Sequence, residues 1–119
     1  MAKFFTFRQN NSGGDFDVND NVAHYVIIEA NSVDEANAKA KNIGIYFDGV
    51  KNGSDCECCG DRWHAAWEDG DSEPKIWGKT LQKALKEGDI GPKSLFKYEC
   101  RIHMLDGTVR CFPEVEHGN

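Results

Sequence analysis

The run VAHYVIIEA at residues 22–30 constrains this chain more than any other stretch. It is apolar and β-branched, and it alternates. His24, Val26 and Ile28 lie on one face and Tyr25 and Ile27 on the other, which predicts a strand. Immediately after it, Ser32 stands three positions before Glu35, the spacing of a capping box. Val33, Ala36, Ala40 and Ile43 then recur at helical spacing, and Gly44 sits where a helix stops. Residues 22–43 therefore read as a strand that turns at once into a helix over 33–43.

Other elements follow the same logic. KFFTFRQ (3–9) alternates, with Phe5 and Phe7 on one side and Phe4, Thr6 and Arg8 on the other, and reads as a strand. Residues 10–21 are a loop by composition. IYFDGV (45–50) reads as a short strand or extended segment. Residues 51–75 hold Gly, Asp and Cys without a period, an irregular stretch long enough to need something to hold it. Trp77, Leu81, Ala84 and Leu85 share a helical face ending at Gly88, which predicts a second helix over 78–87. Asp106-Gly107 fits a two-residue type I′ turn. That register pairs Met104 with Val109 and Ile102 with Cys111, and puts Cys100, Ile102, Met104, Val109 and Cys111 on one apolar face. The expected class is α+β: a mostly antiparallel sheet with two helices on one side and a Cys-rich irregular loop. No repeat or linker divides residues 1–119, so a single domain is expected.

Charge and hydropathy remove whole classes of function. The net charge is −6, from 14 basic and 20 acidic residues, which argues against a large phosphate-contacting nucleic-acid surface. No apolar run approaches the ~20 residues that span a bilayer, and the N-terminal residues do not read as a signal peptide. A cytoplasmic setting is expected, with the five cysteines mostly thiols or metal ligands.

Three of those cysteines fall in DCECCGDRW (55–63). Cys56 and Cys59 form C-x-x-C-G, the spacing of a zinc knuckle. Two intervening residues let both sulfurs reach one ion, and the glycine permits the tight turn. Cys58 is a passenger. One pair is half a site, so His64 is the candidate third ligand, with His24, Cys100, His103 and Cys111 as other donors. The competing reading is a set of free thiols in a loop packed by Trp63 and Trp67. Redox chemistry fits less well, because Gly60-Asp61 suits a turn rather than the helix N-terminus that activates a thiol. Cys100 and Cys111 read as small hydrophobes.

NNSGGDFDVND (10–20) has Asp15, Asp17 and Asn19 at calcium-loop spacing. An EF-hand then needs Gly and Glu where Asp20 and Val26 stand, so that reading fails. Backbone amides around Ser12–Gly14 suit an anion cradle or a plain loop. Arg8, Asn10 and Asn11, with Gln9, gather polar donors at a strand end. Arg62 and Trp63 form either a planar recognition patch or an arginine stem lying over a packed indole.

The strings FFTFRQNNSGGDF (4–16), YVIIEANSVDEANAKAKNIGIYFDGV (25–50) and DCECCGDRW (55–63) resemble a group of small uncharacterised proteins of tailed bacteriophages, over roughly the first two-thirds of the chain. The resemblance implies a product made in the cytoplasm of an infected bacterium and carries no activity. Phage proteins of this size often bind and redirect host factors. The expected function is therefore a non-enzymatic accessory protein, antagonising a host or defence factor by sequestering a protein or a signalling nucleotide, with a zinc-stapled loop. A zinc- or thiol-dependent enzyme is the alternative, and a virion or assembly component a further one.

Overall fold

The structure is a computed structural model that describes residues 2–10, 16–55, 57, 60–66, 70–76, 78–90 and 98–112. Its centre is a four-stranded sheet in the order β1-β2-β5-β6: β1 (Lys3–Arg8), β2 (Tyr25–Ala30), β5 (Cys100–His103) and β6 (Val109–Phe112). β1 and β6 are antiparallel to their neighbours, while β2 and β5 run parallel. Between β2 and β5 the chain forms α1 (Val33–Asn42), a small hairpin of β3 (Lys75–Ile76) and β4 (Lys79–Thr80), and α2 (Leu81–Glu87). The α+β class holds.

The two helices do not share a side. Phe5, Phe7, Val26 and Ile28 meet Ala36 and Ala40 of α1, together with Ile45 and Trp63. Tyr25, Ile27, Cys100 and Ile102 meet Leu81 and Ala84 of α2, with Ile76 and Ile90. Tyr25, Val26, Ile27 and Ile28 are consequently all buried. A strand paired on both edges and covered on both faces is the usual setting of a parallel pair.

Local chemistry explains the helix ends. Ser32 Oγ accepts from Glu35 N–H at 3.1 Å, while Glu35 reaches back to Asn31 N–H at 2.9 Å, one residue earlier than in the standard box. Thr80 Oγ1 accepts from Lys83 N–H at 3.2 Å, so α2 starts at Leu81 rather than 78. Gly78, at φ +74°, belongs to the turn of the β3–β4 hairpin. Trp77, expected on the helix face, lies outside the described residues. Residues 45–50 form no strand: the Gly49 carbonyl accepts from Ser54 and Asp55 N–H, folding the segment into a turn.

The C-terminal hairpin is one residue out of the expected register. His103 pairs with Val109, Ile102 with Arg110 and Arg101 with Cys111. The turn holds three residues rather than two. Gly107 N–H donates to Met104 O at 3.0 Å, Met104 N–H donates to Thr108 O at 2.8 Å, and Gly107 is left-handed at φ +92°. This is a type I turn with a glycine bulge. Asp106 Oδ1 supports it by accepting from Thr108 N–H at 2.9 Å. A one-residue slip exchanges faces, so Cys100 and Cys111 lie on opposite sides of the sheet.

Candidate functional site

β1 is an edge strand, and a second segment runs back along it. Phe4 exchanges two backbone hydrogen bonds with Asp71, both 2.8 Å. Six residues on, Asn10 N–H donates to Arg62 O at 2.8 Å. Between these contacts the described residues of the segment, 63–66 and 70, make no backbone bond to the strand. Asn37 of α1 holds the segment, bonding Ala66 O at 3.0 Å and Ala66 N–H at 2.8 Å. The result is a cavity of about 560 Å³ lined by Phe4–Arg8, Asn10, His64, Ala65, Ala66, Gly70 and Asp71. Gln9 N–H bonds His24 O across to the β2 side, so strand alternation turns the backbone of Thr6 and Arg8 outward, towards the cavity. His64 is exposed beside it.

The end of this cavity near Asn10 is held by a buried polar network. Arg62 Nε donates to Tyr46 Oη at 3.1 Å and its Nη1 to Gln9 Oε1 at 2.9 Å. Tyr46 Oη donates to Asp55 Oδ1 at 2.6 Å, and Asp55 Oδ2 accepts from Arg62 N–H at 2.8 Å. The Asp55 side chain is 1% exposed and that of Arg62 11%. Burial and the Asp55 carboxylate push the Tyr46 phenol above its ordinary pKa, which keeps it a neutral donor. Gln9 also bonds Asp17 and Ala23. Asp55 and Arg62 thus clasp the base of the loop that carries Cys56, Cys58 and Cys59.

The expected site residues therefore separate. Arg8, Asn10 and His64 are brought to one cavity. Trp63 is 1% exposed and packs in the α1-side core, so its indole is no surface platform. Arg62 is committed to the network with Asp55, Tyr46 and Gln9. Cys56, Cys59 and Asn11 lie outside the described residues. Gly60, which follows the cysteine pair, has φ +86°, the turn conformation a knuckle glycine supplies. Among the described residues no group of three or more His, Cys, Asp or Glu side chains is placed to hold a metal. His24 is otherwise engaged: its Nδ1 accepts from Glu99 N–H at 3.0 Å, and its ring stacks on Tyr98 at 4.5 Å. His103 Nε2 contacts Asn21 O at 2.7 Å. Cys100 is buried, its thiol pushed up to about 12.

Asp55, Tyr46 and Asp71 were not singled out by sequence. Asp55 and Arg62 left a usable signal, since opposite charges bracket the cysteines. Asp71 left none, because its role is a backbone bridge.

Among the described residues no helix is long and apolar enough to cross a membrane. No curated protein and no solved structure matches the chain. A family model described as a domain of unknown function, DUF7296, matches residues 2–118, and the chain belongs to that family.

Proposed function

We propose that this family member is a small phage-type accessory protein of binding character, which sequesters a compact anionic ligand of the signalling-nucleotide class in an infected bacterium. The observation that carries the reading is the cavity on the outer edge of β1. Its volume of about 560 Å³ lies in the range of small-molecule sites. Backbone bonds close it at Phe4–Asp71 and at Asn10–Arg62. A site bounded by a backbone bridge at each end suits a compact ligand better than an extended peptide. Arg8, Asn10 and His64 supply donors, and Thr6 adds a backbone N–H.

Zinc held by Cys56 and Cys59, with His64 as a further ligand, would staple the loop that precedes the His64–Ala66 lining of this cavity. The left-handed Gly60 and the Asp55–Arg62 clasp support the staple, since both hold the loop ends in a tight return.

The test is calorimetric titration with cyclic dinucleotides, cyclic mononucleotides and ADP-ribose, beside affinity capture from host lysate. Saturable binding of one nucleotide, weakened tenfold or more by Arg8→Ala, is expected. Failure of every nucleotide, with a host protein captured instead through another surface, overturns the reading.

A further inference from the structure

Gln9 follows Phe5 and Phe7 in the alternation of β1, on the face that packs against α1. An apolar residue would suit that position. Glutamine stands there instead, 3% exposed, and both donors and both lone pairs of its amide are used. Its Nε2 donates to Asp17 O at 2.9 Å and to Ala23 O at 2.8 Å. Its Oε1 accepts from Asp17 N–H at 2.6 Å and from Arg62 Nη1 at 2.9 Å. A buried amide is costly unless it is paired in this way, and a fully paired network rigidifies what it joins.

What it joins is two loops, at the point where β1 ends. One is 17–23, which leads into β2. The other ends at Arg62, whose main-chain oxygen takes Asn10 N–H and whose side chain takes Gln9. Asn10 Nδ2 donates to Asp61 O at 3.3 Å, in that same second loop. Arg8 and Asn10, the neighbours of Gln9 in sequence, both line the β1 cavity, whereas Gln9 does not. β1 stops at Arg8, so the course of the chain through Asn10 depends on these loop contacts rather than on the sheet alone.

We propose that Gln9 is the positioning residue of the cavity's donor end, a role that rests on the cavity being the nucleotide site proposed for it. Gln9 touches no ligand. Through Arg62 it fixes where Arg8 and Asn10 stand, and through Asp17 and Ala23 it ties that end to the 17–23 loop.

The test compares Gln9→Glu with Gln9→Met. Glutamate keeps an acceptor for Arg62 Nη1 and Asp17 N–H and gives up the Nε2 donors. Methionine keeps the length and gives up all the amide's bonds. Gln9→Asn, one methylene shorter, takes its place should Gln9→Met not fold, as judged by amide exchange at Ile27 in the sheet. The titrant is ADP-ribose, and exchange of Asn10 N–H, followed by NMR without ligand, is the second readout. Gln9→Met should weaken binding and speed Asn10 exchange by about tenfold each, with Ile27 unchanged. Gln9→Glu should stay close to wild type in both. Two results overturn the proposal: Gln9→Met indistinguishable from wild type, or Gln9→Glu losing as much as Gln9→Met, which would make Gln9 a filler of the fold. Wild-type protein that binds no ADP-ribose would count against that nucleotide and not against Gln9, whose role Asn10 exchange then decides by the same two criteria.

Discussion

Asp55 accepts from the backbone N–H of Arg62 across the loop that carries three of the five cysteines, and its other oxygen takes the Tyr46 hydroxyl. Both side chains are nearly out of water. Removing the carboxylate would leave the guanidinium without its main buried counter-charge. Asp55→Ala should lower stability by about 3 kcal/mol, and Tyr46→Phe by about 1 kcal/mol. Urea unfolding monitored by tryptophan fluorescence measures both. Equal stability of Asp55→Ala and wild type would mean that the clasp is not formed in solution.

Gly49 faces the same carboxylate. A Cβ there would overlap Asp55 Oδ2 and crowd the Tyr46 ring. Gly49→Ala should cost about 1–3 kcal/mol, the range for overpacking a filled site. In the Asp55→Ala background the cost should shrink, since the obstructing group is gone. A double-mutant cycle reads that coupling.

How far the fold could be read depended on how local its causes are. β1, β2 and α1 are set by alternation and by caps within a few residues, and each forms within a residue or three of its expected limits. The hairpin slipped because Asp-Gly suits two turn families. Asp106 selects between them by bonding Thr108 N–H, a contact that composition does not reveal. The placement of the helices on opposite faces rests on two separate cores, each joining residues far apart in sequence. In the site, Arg8 and Asn10 were visible as donors at a strand end. The arch that makes them a cavity rests on Asp71 and Asn37, whose roles depend on backbone partners.

Stability should depend on pH at both ends of the range. Burial lowers the pKa of His24 and of His103 below the usual 6.5. A depressed imidazole contributes stability that is present above its unfolded pKa and lost as pH falls through the folded value. For His24, protonating Nδ1 also removes the acceptor of Glu99 N–H. The midpoint of urea unfolding should therefore fall below about pH 6.5. His24→Asn should flatten that dependence; an unchanged slope would exclude His24 as its source. At the other end, burial raises the Cys100 thiol to about 12. Its contribution is complete below its unfolded value near 8.5 and declines as pH rises towards 12. In the native protein at pH 8, DTNB should leave Cys100 unmodified until urea is added.

The zinc expectation has the most direct test, because metal ligation and folding are coupled. The purified protein should hold about one zinc per chain, bound through Cys56 and Cys59. Cys56→Ser and Cys59→Ser should each lose the metal and lower the melting temperature, whereas Cys58→Ser should keep both. His64→Ala should weaken retention against a chelator if the imidazole is a ligand. Cobalt substitution adds a readout independent of stability: thiolate coordination gives a charge-transfer band that Cys59→Ser should diminish. The Asp55–Arg62 clasp closes the loop base from the protein side, so Asp55→Ala should also weaken metal retention although it removes no proposed ligand. Unchanged metal content in both cysteine variants would end the knuckle reading and leave the clasp as the loop's fastening.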